Sequence, residues 1–483
     1  MKLQEIIRDL EIIKMSAAPD MEISGVQGDS RLVKPGGLFV AVRGYESDGH
    51  SFIGKAVENG AAAVLCQEEP EEGVPYVLVK NTRLGLALAS RNFYGNPAAS
   101  MKLIAFTGTN GKTTSTYLMK HLLEDALGAK VGLIGTNGNM IGDEFIHSER
   151  TTPESSDLQK LFYDMLKAGC THVVMEVSSH SLVLDRVAGI RFDVGVFTNL
   201  TQDHLDFHGT MEQYAKAKSI LFSNCHRAVI NADDEYAEFM INSAACPVTT
   251  FSAQSKLADL TANDLRLSAN GVKFLAVHDG QLQRVNFPIP GLFSVHNALG
   301  VIGAGLALGI SLSACCAAMT SARGVKGRVE VVPTGGDFSI IIDYAHTPDA
   351  LINVLTTMRQ VTTGRLVVLF GCGGDRDAAK RPLMGKAAAE LADLCIVTSD
   401  NPRTEEPQAI IDDILAGMKG ILTPTKVICS RPEAIGWAIE NHLPGDVIIL
   451  AGKGHEDYQV IGREKHHMDE REIVAEYLEK RKN

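Results

Sequence analysis

Residues 104–114 read Ile-Ala-Phe-Thr-Gly-Thr-Asn-Gly-Lys-Thr-Thr: a short apolar run, a glycine-bearing turn, then a lysine followed by two hydroxyls. Residues in that order can hold a triphosphate. Backbone N–H groups of such a turn converge on phosphate oxygens, and a helix N-terminus adds partial positive charge. Lys112 is spaced to reach the outer phosphates and Thr113 to give a hydroxyl to Mg²⁺. Gly108, Thr109, Asn110, Gly111 and Thr114 complete the expected cradle. Leu118, Leu122 and Ala126 share one face of the predicted helix that follows, and Gly128 stops it. One residue departs from the commonest form of this loop: Phe106 stands where the first glycine is expected, five positions before Gly111.

A second set of chemistry-bearing residues lies in the last third. Asp343-Tyr-Ala-His346, Gly371-Cys-Gly-Gly-Asp-Arg376, Asp400-Asn-Pro-Arg403 and Gly452-Lys-Gly-His-Glu456 each directly follow a predicted strand. Asp-Asn-Pro and Gly-Lys-Gly are also ordinary turn sequences. Four polar clusters on the same edge of one parallel sheet, however, mark the place where ligands gather in such folds. Arg376 and Arg403 suit carboxylates, which a guanidinium fork binds bidentately, and Glu456 suits an ammonium. The combination fits a small zwitterion with an additional charged end.

A third set lies between them: Glu176-Val-Ser-Ser-His180 and Asn199-Leu-Thr-Gln-Asp-His204-Leu-Asp-Phe-His208. Glu176 and His204 are reasonable Mg²⁺ ligands beside a nucleotide. The alternation His204/Asp206/His208 is equally compatible with a zinc hydrolase, although no partner motif accompanies it. Lys218 falls on a predicted helix, Tyr214 to Phe222, where a solvated lysine is the ordinary outcome; a desolvated, neutral lysine there is open to covalent modification.

The elements that must position these residues follow from periodicity. The first ~98 residues read as a β-rich unit with helices, with strands at Leu38 to Val42, Ala61 to Cys66 and Tyr76 to Val79. Met1 to Met15 carries Leu and Ile at helical spacing and no signal-peptide core. From the 104–114 region to about Val325, strands and helices alternate as in an α/β domain. Pro153 begins a helix with Leu158, Leu161, Phe162, Met165 and Leu166 inward, and the strand Thr171 to Val177 follows. The last third predicts strands at Phe338 to Asp343, Leu366 to Phe370, Leu394 to Thr398, Lys426 to Cys429 and Asp446 to Leu450. Thr347-Pro348 supplies a helix cap and first-turn proline.

The 483 residues suit about three domains. A net charge of −12, from 46 basic and 58 acidic residues without a basic block, argues against a nucleic-acid surface. Nine scattered cysteines with no C-x-x-C pair read as reduced, packed thiols of a cytoplasmic protein. Asn297 to Arg323 is long enough to span a bilayer, yet Gly309-Ile310-Ser311 divides it into two helix-sized pieces rich in small residues. Two closely packed soluble helices are expected, with no membrane span.

The ordered set Thr107-Gly-Thr-Asn-Gly-Lys-Thr-Thr114, Arg150-Thr-Thr-Pro153, Glu176-Val-Ser-Ser179, Asp203-His-Leu-Asp206, Asp343-Tyr-Ala-His-Thr-Pro348 and Gly452-Lys-Gly-His-Glu456 resembles the Mur ligases over essentially the whole length. Within that family the chain looks like the branch that adds meso-diaminopimelate, marked by Asp-Asn-Pro-Arg, which Asp400 to Arg403 match. The shortened glycine loop with Phe106 is also a family trait.

The resemblance implies an α/β protein of three domains: a UDP-binding N-terminal domain (1–98), a central P-loop ATPase domain (99–325) and a C-terminal Rossmann-like domain (326–483). It implies that Ser30, Arg31, Tyr45, Glu46 and Ser47 surround the UDP group, and that Thr151, Thr152, Ser178 and Arg186 contact the muramoyl-dipeptide. Asn297 and Asp343 are then expected at the adenosine, Arg328 and His346 near the phosphates. Arg376, Asp400, Asn401, Arg403, Gly452 and Glu456 are expected at diaminopimelate. Mg²⁺ falls to Thr113, Glu176, His204 and a carbamylated Lys218. The implied reaction is ATP-dependent amide formation on UDP-N-acetylmuramoyl-L-Ala-D-Glu by a cytoplasmic monomer. Rival readings are a lysine-adding member, which Arg403 argues against; a folylpolyglutamate synthase, which lacks the N-terminal UDP domain; and an ATP-driven switch, which needs no second substrate site.

Overall fold

The computed structural model describes residues 1–44, 47–148 and 150–481. The chain forms two compact units, residues 1–261 with 299–315 and residues 262–298 with 316–483.

The first unit begins with a five-stranded sheet in the order Ile12–Met15, Tyr76–Val79, Ala61–Cys66, Gly37–Val40, Val26–Gln27. The Ile12–Met15 pairing is antiparallel and the rest are parallel. Leu38, Val40, Ala63, Leu65, Val77 and Val79 face one core, Phe39, Val64 and Cys66 the other. That is the period-two alternation of strands covered on both faces. The helical spacing of Met1 to Met15 survives for a single turn, Leu3–Ile6; Ile12–Met15 is instead an edge strand with Ile12 and Ile13 exposed. β-branched residues favour the pleated strand, and sheet pairing overrides a weak helical pattern.

The same unit holds the central sheet. Its parallel core runs Val248–Ser252, Cys225–Asn231, Phe192–Phe197, Lys102–Thr107, His172–Glu176, Val131–Gly135, followed by the antiparallel strands Gly138–Ile141 and Glu144–Ile146. Phe106 is fully buried in the strand Lys102–Thr107 and pairs with Glu176. The position of the absent glycine therefore belongs to the strand, and the turn begins later. Helix Lys112–Leu127 follows, ended by Gly128 in the left-handed conformation.

In the second unit an antiparallel hairpin, Gly271–His278 with Gln281–Phe287, precedes a six-stranded sheet. The sheet order is Glu330–Val332, Ser339–Asp343, Val447–Ala451, Leu366–Phe370, Leu394–Val397, Thr425–Val427, parallel except for the first pair. All five strands read from the sequence are present, with Leu366–Phe370 unchanged and the bounds of the other four moved by one or two residues. Thr347 caps the helix Pro348–Arg359 as expected, accepting from Ala350 N–H.

The Asn297 to Arg323 stretch divides into helices ending at Ala307 and beginning at Leu312. A Cβ on Gly305 would lie 2.6 Å from Cys315 Sγ, so a glycine is what lets that cysteine approach. Among the described residues no helix is long and apolar enough to cross a membrane.

Candidate active site

The glycine turn is built by backbone need. Gly108 has φ +152°, and a Cβ there would meet Thr198 Oγ1 at 1.9 Å; Gly111, at φ +84°, caps the helix Lys112–Leu127. The loop is tied to the neighbouring strand end, where Thr109 N–H donates to Asn199 O (2.9 Å), Asn110 N–H to Asn199 Oδ1 (2.9 Å), and Thr198 Oγ1 to Asn110 O (2.7 Å). Lys112 Nζ folds back onto the carbonyls of Gly108 (2.8 Å) and Thr109 (3.0 Å). Thr113 and Thr114 are buried in the first turn of that helix.

Glu176 ends the strand beside this turn and is almost wholly buried. Its Oε1 accepts from Thr113 Oγ1 (3.0 Å) and Thr136 N–H (2.8 Å), its Oε2 from Thr136 Oγ1 (3.1 Å). Gly135 leaves the space: a Cβ there would stand 2.4 Å from Glu176 Oε1. Lys218 is not a solvated lysine. It is 1% exposed, lies over the Tyr214 ring (4.5 Å), and donates to the same Gly108 carbonyl (2.8 Å) that Lys112 uses. Burial, and then the charge of Lys112, hold its pKa well below the usual lysine range. An amine driven toward its neutral form in this way is a nucleophile.

His204 sits at φ +52°, capping the short helix Leu205–His208, half exposed, with its ring 4.9 Å from that of His180 and 6.1 Å from Tyr214. Burial and the nearby Lys112 and Lys218 lower its pKa, Asp203 opposing them, which favours the neutral imidazole a metal requires. His208 does not join it as a ligand: it stacks on Tyr214 and hydrogen-bonds Ser179 Oγ (2.8 Å). Among the described residues no three His, Cys, Asp or Glu side chains gather as a metal cluster.

Thr151, Thr152, Ser178 and Arg186 form one group next to Glu176. Thr152 Oγ1 donates to Glu176 O (2.9 Å) and receives Ser178 N–H (3.3 Å); Ser178 caps the helix Ser179–Val183. Arg186 donates to Thr152 O (3.2 Å) and pairs with Glu154 (2.9 Å), and Thr151 Oγ1 lies 3.0 Å from Thr136 Oγ1. In the N-terminal sheet, Ser30 is buried, its carbonyl held by Asn59 Nδ2 (2.8 Å), whereas Arg31 is exposed and paired with Asp29 (2.7 Å). Ser47 is exposed; Tyr45 and Glu46 lie outside the described residues.

In the second unit, Asp343 ends its strand with both oxygens engaged by backbone, Val329 N–H (2.8 Å) and Ala345 N–H (2.9 Å). Burial raises its pKa against the opposing Arg328. Arg328 lies over the Tyr344 ring (5.1 Å), and its buried Nε has no hydrogen-bond acceptor among the described residues. His346 donates through Nδ1 to Tyr344 O (2.8 Å), which leaves Nε2 as its basic nitrogen. Asn297 is buried on the helix Leu292–Ala307.

The carboxyl edge of the six-stranded sheet does collect the last-third clusters. Arg403 holds a left-handed backbone (φ +51°), with its N–H on Val460 O (3.1 Å) and its guanidinium on Gly374 O (2.7 Å). Asn401 Nδ2 donates to Glu456 Oε2 (2.9 Å). Gly452 has φ +110°, and a Cβ there would lie 2.7 Å from Asp400 Oδ2. Arg376 is exposed on the preceding loop.

Four residues with no individual role assigned from the sequence matter here. Lys453 Nζ binds Asn401 Oδ1 (2.8 Å) and Glu456 Oε2 (2.7 Å), so Glu456 already carries an ammonium from its own chain. Arg431 and Glu470, both wholly buried, pair at 2.8 Å behind Asp400, which lies 3.8 Å from Arg431. Thr136 was findable, since it follows a strand as the other clusters do. Arg431 and Glu470 stand 39 residues apart with no motif to join them.

A strand–glycine turn–helix with a lysine and hydroxyl at its helix start, beside a buried carboxylate at the next strand end, defines a P-loop nucleotide-binding enzyme. The chain belongs to the Mur ligase family of ATP-dependent ligases. Its residues 106–305 match the Mur ligase middle domain, 327–454 the Mur ligase glutamate ligase domain, and 22–94 the Mur ligase family catalytic domain. It is 48% identical to the UDP-N-acetylmuramoyl-L-alanyl-D-glutamate–2,6-diaminopimelate ligase of Clostridium tetani, with 99% of each chain covered. It is 49% identical to a protein of that name, numbered 1, from Clostridium acetobutylicum, again with 99% of each covered. A solved structure with the same ligase name aligns at 34% identity and a TM-score of 0.77, covering 100% of this chain and 99% of that one. The α/β fold in three domains is that of this family.

Proposed function

We propose that this chain joins meso-diaminopimelate to the D-Glu γ-carboxylate of UDP-N-acetylmuramoyl-L-Ala-D-Glu, with ATP converted to ADP and phosphate, in peptidoglycan precursor synthesis. The carrying observation is the carboxyl edge of the C-terminal sheet, where Arg403, Asn401 and Glu456 present a cation, an amide and a carboxylate together. The ligase names of the relatives support the same reading. On it, residues 1–98 bind the UDP end, 99–325 carry the ATPase chemistry and 326–483 bind the amino acid.

The γ-carboxylate attacks the γ-phosphorus of ATP, giving an acyl phosphate and ADP. The amine of diaminopimelate then attacks the acyl carbon through a tetrahedral intermediate, an amide forms and phosphate leaves. Two anions must approach in the first step, so the protein's task is alignment and charge compensation. Lys112 leaves the Gly108 and Thr109 carbonyls for the outer phosphates. Ser178, Thr152 and Arg186 orient the dipeptide, Ser30 and Arg31 the UDP group, while Asn297 and Asp343 contact adenosine, with Arg328 and His346 near the phosphates.

The donors Thr113, Glu176 and His204 suit Mg²⁺, being a hydroxyl, a carboxylate and a neutral imidazole. The buried, neutral-leaning Lys218 is suited to add CO₂ and become an anionic carbamate ligand. Bound there, Mg²⁺ supplies neutralisation of phosphate charge. The protein acts as a cytoplasmic monomer.

The test is phosphate release with ATP and UDP-N-acetylmuramoyl-L-Ala-D-Glu in the presence of diaminopimelate, lysine or no amino acid. Turnover is expected with diaminopimelate alone; equal turnover in all three sinks the reading.

A further inference from the structure

Lys453 is wholly buried, yet its ammonium is not spent on core packing. Nζ donates to Asn401 Oδ1 (2.8 Å) and Glu456 Oε2 (2.7 Å) and lies over the Tyr458 ring (5.3 Å). Asn401 Oδ1 also receives Val460 N–H (2.9 Å). With two donors on that oxygen the amide has one orientation: a flipped Asn401 would set its NH₂ against an ammonium and an N–H. Nδ2 is therefore fixed toward Glu456, at 2.9 Å from Oε2. Both bonds to Glu456 fall on Oε2, which leaves Oε1 as the oxygen for a ligand cation, and Glu456 is the partly open member of the group (15% exposed).

A buried ammonium is costly, and an apolar side chain of similar length fills the same space more cheaply. Stability gives no reason to keep it. Its reach to both polar members of the amino-acid edge does.

We propose that Lys453 is a positioning residue for the amino-acid substrate, fixing Asn401 and Glu456 so that one carboxylate oxygen meets the substrate's ammonium. The proposal rests on reading this edge as the diaminopimelate site. It has a second consequence. The Lys453 charge offsets that of Glu456, so this pair adds no net negative charge to favour lysine, a net cation, over net-neutral diaminopimelate, and the choice passes to Arg403 and the substrate's extra carboxylate.

The experiment is steady-state phosphate release by wild type, K453M, K453Q, N401A and K453M/N401A, varying each substrate in turn, with thermal melts of every variant. K453M is expected to raise KM for diaminopimelate by about 10- to 100-fold, as loss of charge-assisted hydrogen bonds implies. KM for ATP and for the UDP substrate stays within about twofold. K453Q, which keeps a donor without charge, lies between. K453M also lowers the preference for diaminopimelate over lysine. Because Lys453 acts through Asn401, the double variant is no worse than the more impaired single.

An unmoved KM for diaminopimelate, a common rise for all three substrates, or multiplicative effects in the double variant overturns the role. Should K453M fail to melt cooperatively, the same criteria are read from K453Q. Wild-type turnover indifferent to diaminopimelate overturns the proposed function itself, and is distinguished from failure of the Lys453 role alone by the wild-type measurement.

Discussion

Gly135→Ala tests whether the position of the Glu176 carboxylate matters to the reaction. Gly135 closes the strand Val131–Gly135, buried and with ordinary backbone, so one methyl group is the whole perturbation. That methyl would stand 2.4 Å from Glu176 Oε1, where ordinary contact begins at 3.4 Å, so the oxygen must retreat by about 1 Å. The retreat stretches the bonds from Thr136 N–H (2.8 Å) and Thr113 Oγ1 (3.0 Å) beyond hydrogen-bonding range. A hydrogen bond to a charged group contributes about 1.5–3 kcal/mol, so the first unit should lose roughly 2–3 kcal/mol once the chain has relaxed. A misplacement of about 1 Å in a catalytic constellation costs on the order of 10²-fold in rate, so kcat should fall by about that factor, with KM for diaminopimelate little changed. Phosphate release gives kcat, and a thermal melt gives stability. Shortening the carboxylate returns the space, so Gly135→Ala/Glu176→Asp should be less impaired than the product of the two singles. Wild-type kcat in Gly135→Ala, or strictly multiplicative effects, refutes the placement of Glu176 in the catalytic group.

Three further outcomes are expected. Arg403→Ala should raise KM for diaminopimelate by about 10- to 100-fold and leave that for ATP unchanged, and lysine should not rescue at 403 because the bidentate fork is lost; substrate-specific KM values decide it. Arg431→Met strands Glu470 in the interior, whose pKa burial already raises, and should cost about 3–5 kcal/mol. The only tryptophan of the chain, Trp437, lies on the same helix as Arg431, so its fluorescence during urea unfolding reports the loss directly. His208 has its pKa lowered from 6.5 to about 4, by burial first and then by the nearby His180 and Lys218. The unfolded chain thus binds a proton below about pH 6.5 that the folded chain refuses until about 4, so stability is lost as pH drops from about 6.5 to about 4. His208→Gln should lose less melting temperature than wild type between pH 7 and 5; parallel losses refute the assignment.

Local signals carried the reading where geometry is local. The strand, the glycine turn and Lys112–Thr114 are contiguous, and φ +84° at Gly111 needs a glycine whatever the rest of the chain does. The four clusters of the last third were legible because each follows a parallel strand, and parallel strands deliver their carboxyl ends to one edge. Ile12–Met15 was misread because sheet pairing, a contact with Tyr76–Val79 more than sixty positions away, decided between helix and strand.

The sequence by itself determined the strand, glycine turn and helix around Lys112 and the list of polar groups at the C-terminal sheet edge, since these depend on spacing along the chain. Only the tertiary structure decided what those groups are. Burial lowered the Lys218 pKa well below the usual lysine range, because desolvation is a property of surrounding atoms and not of the residue. Packing likewise turned Lys453 inward onto Asn401 and Glu456, and brought Arg431 onto Glu470 behind Asp400. Charge state and orientation are set through space, by neighbours that lie far apart in the chain.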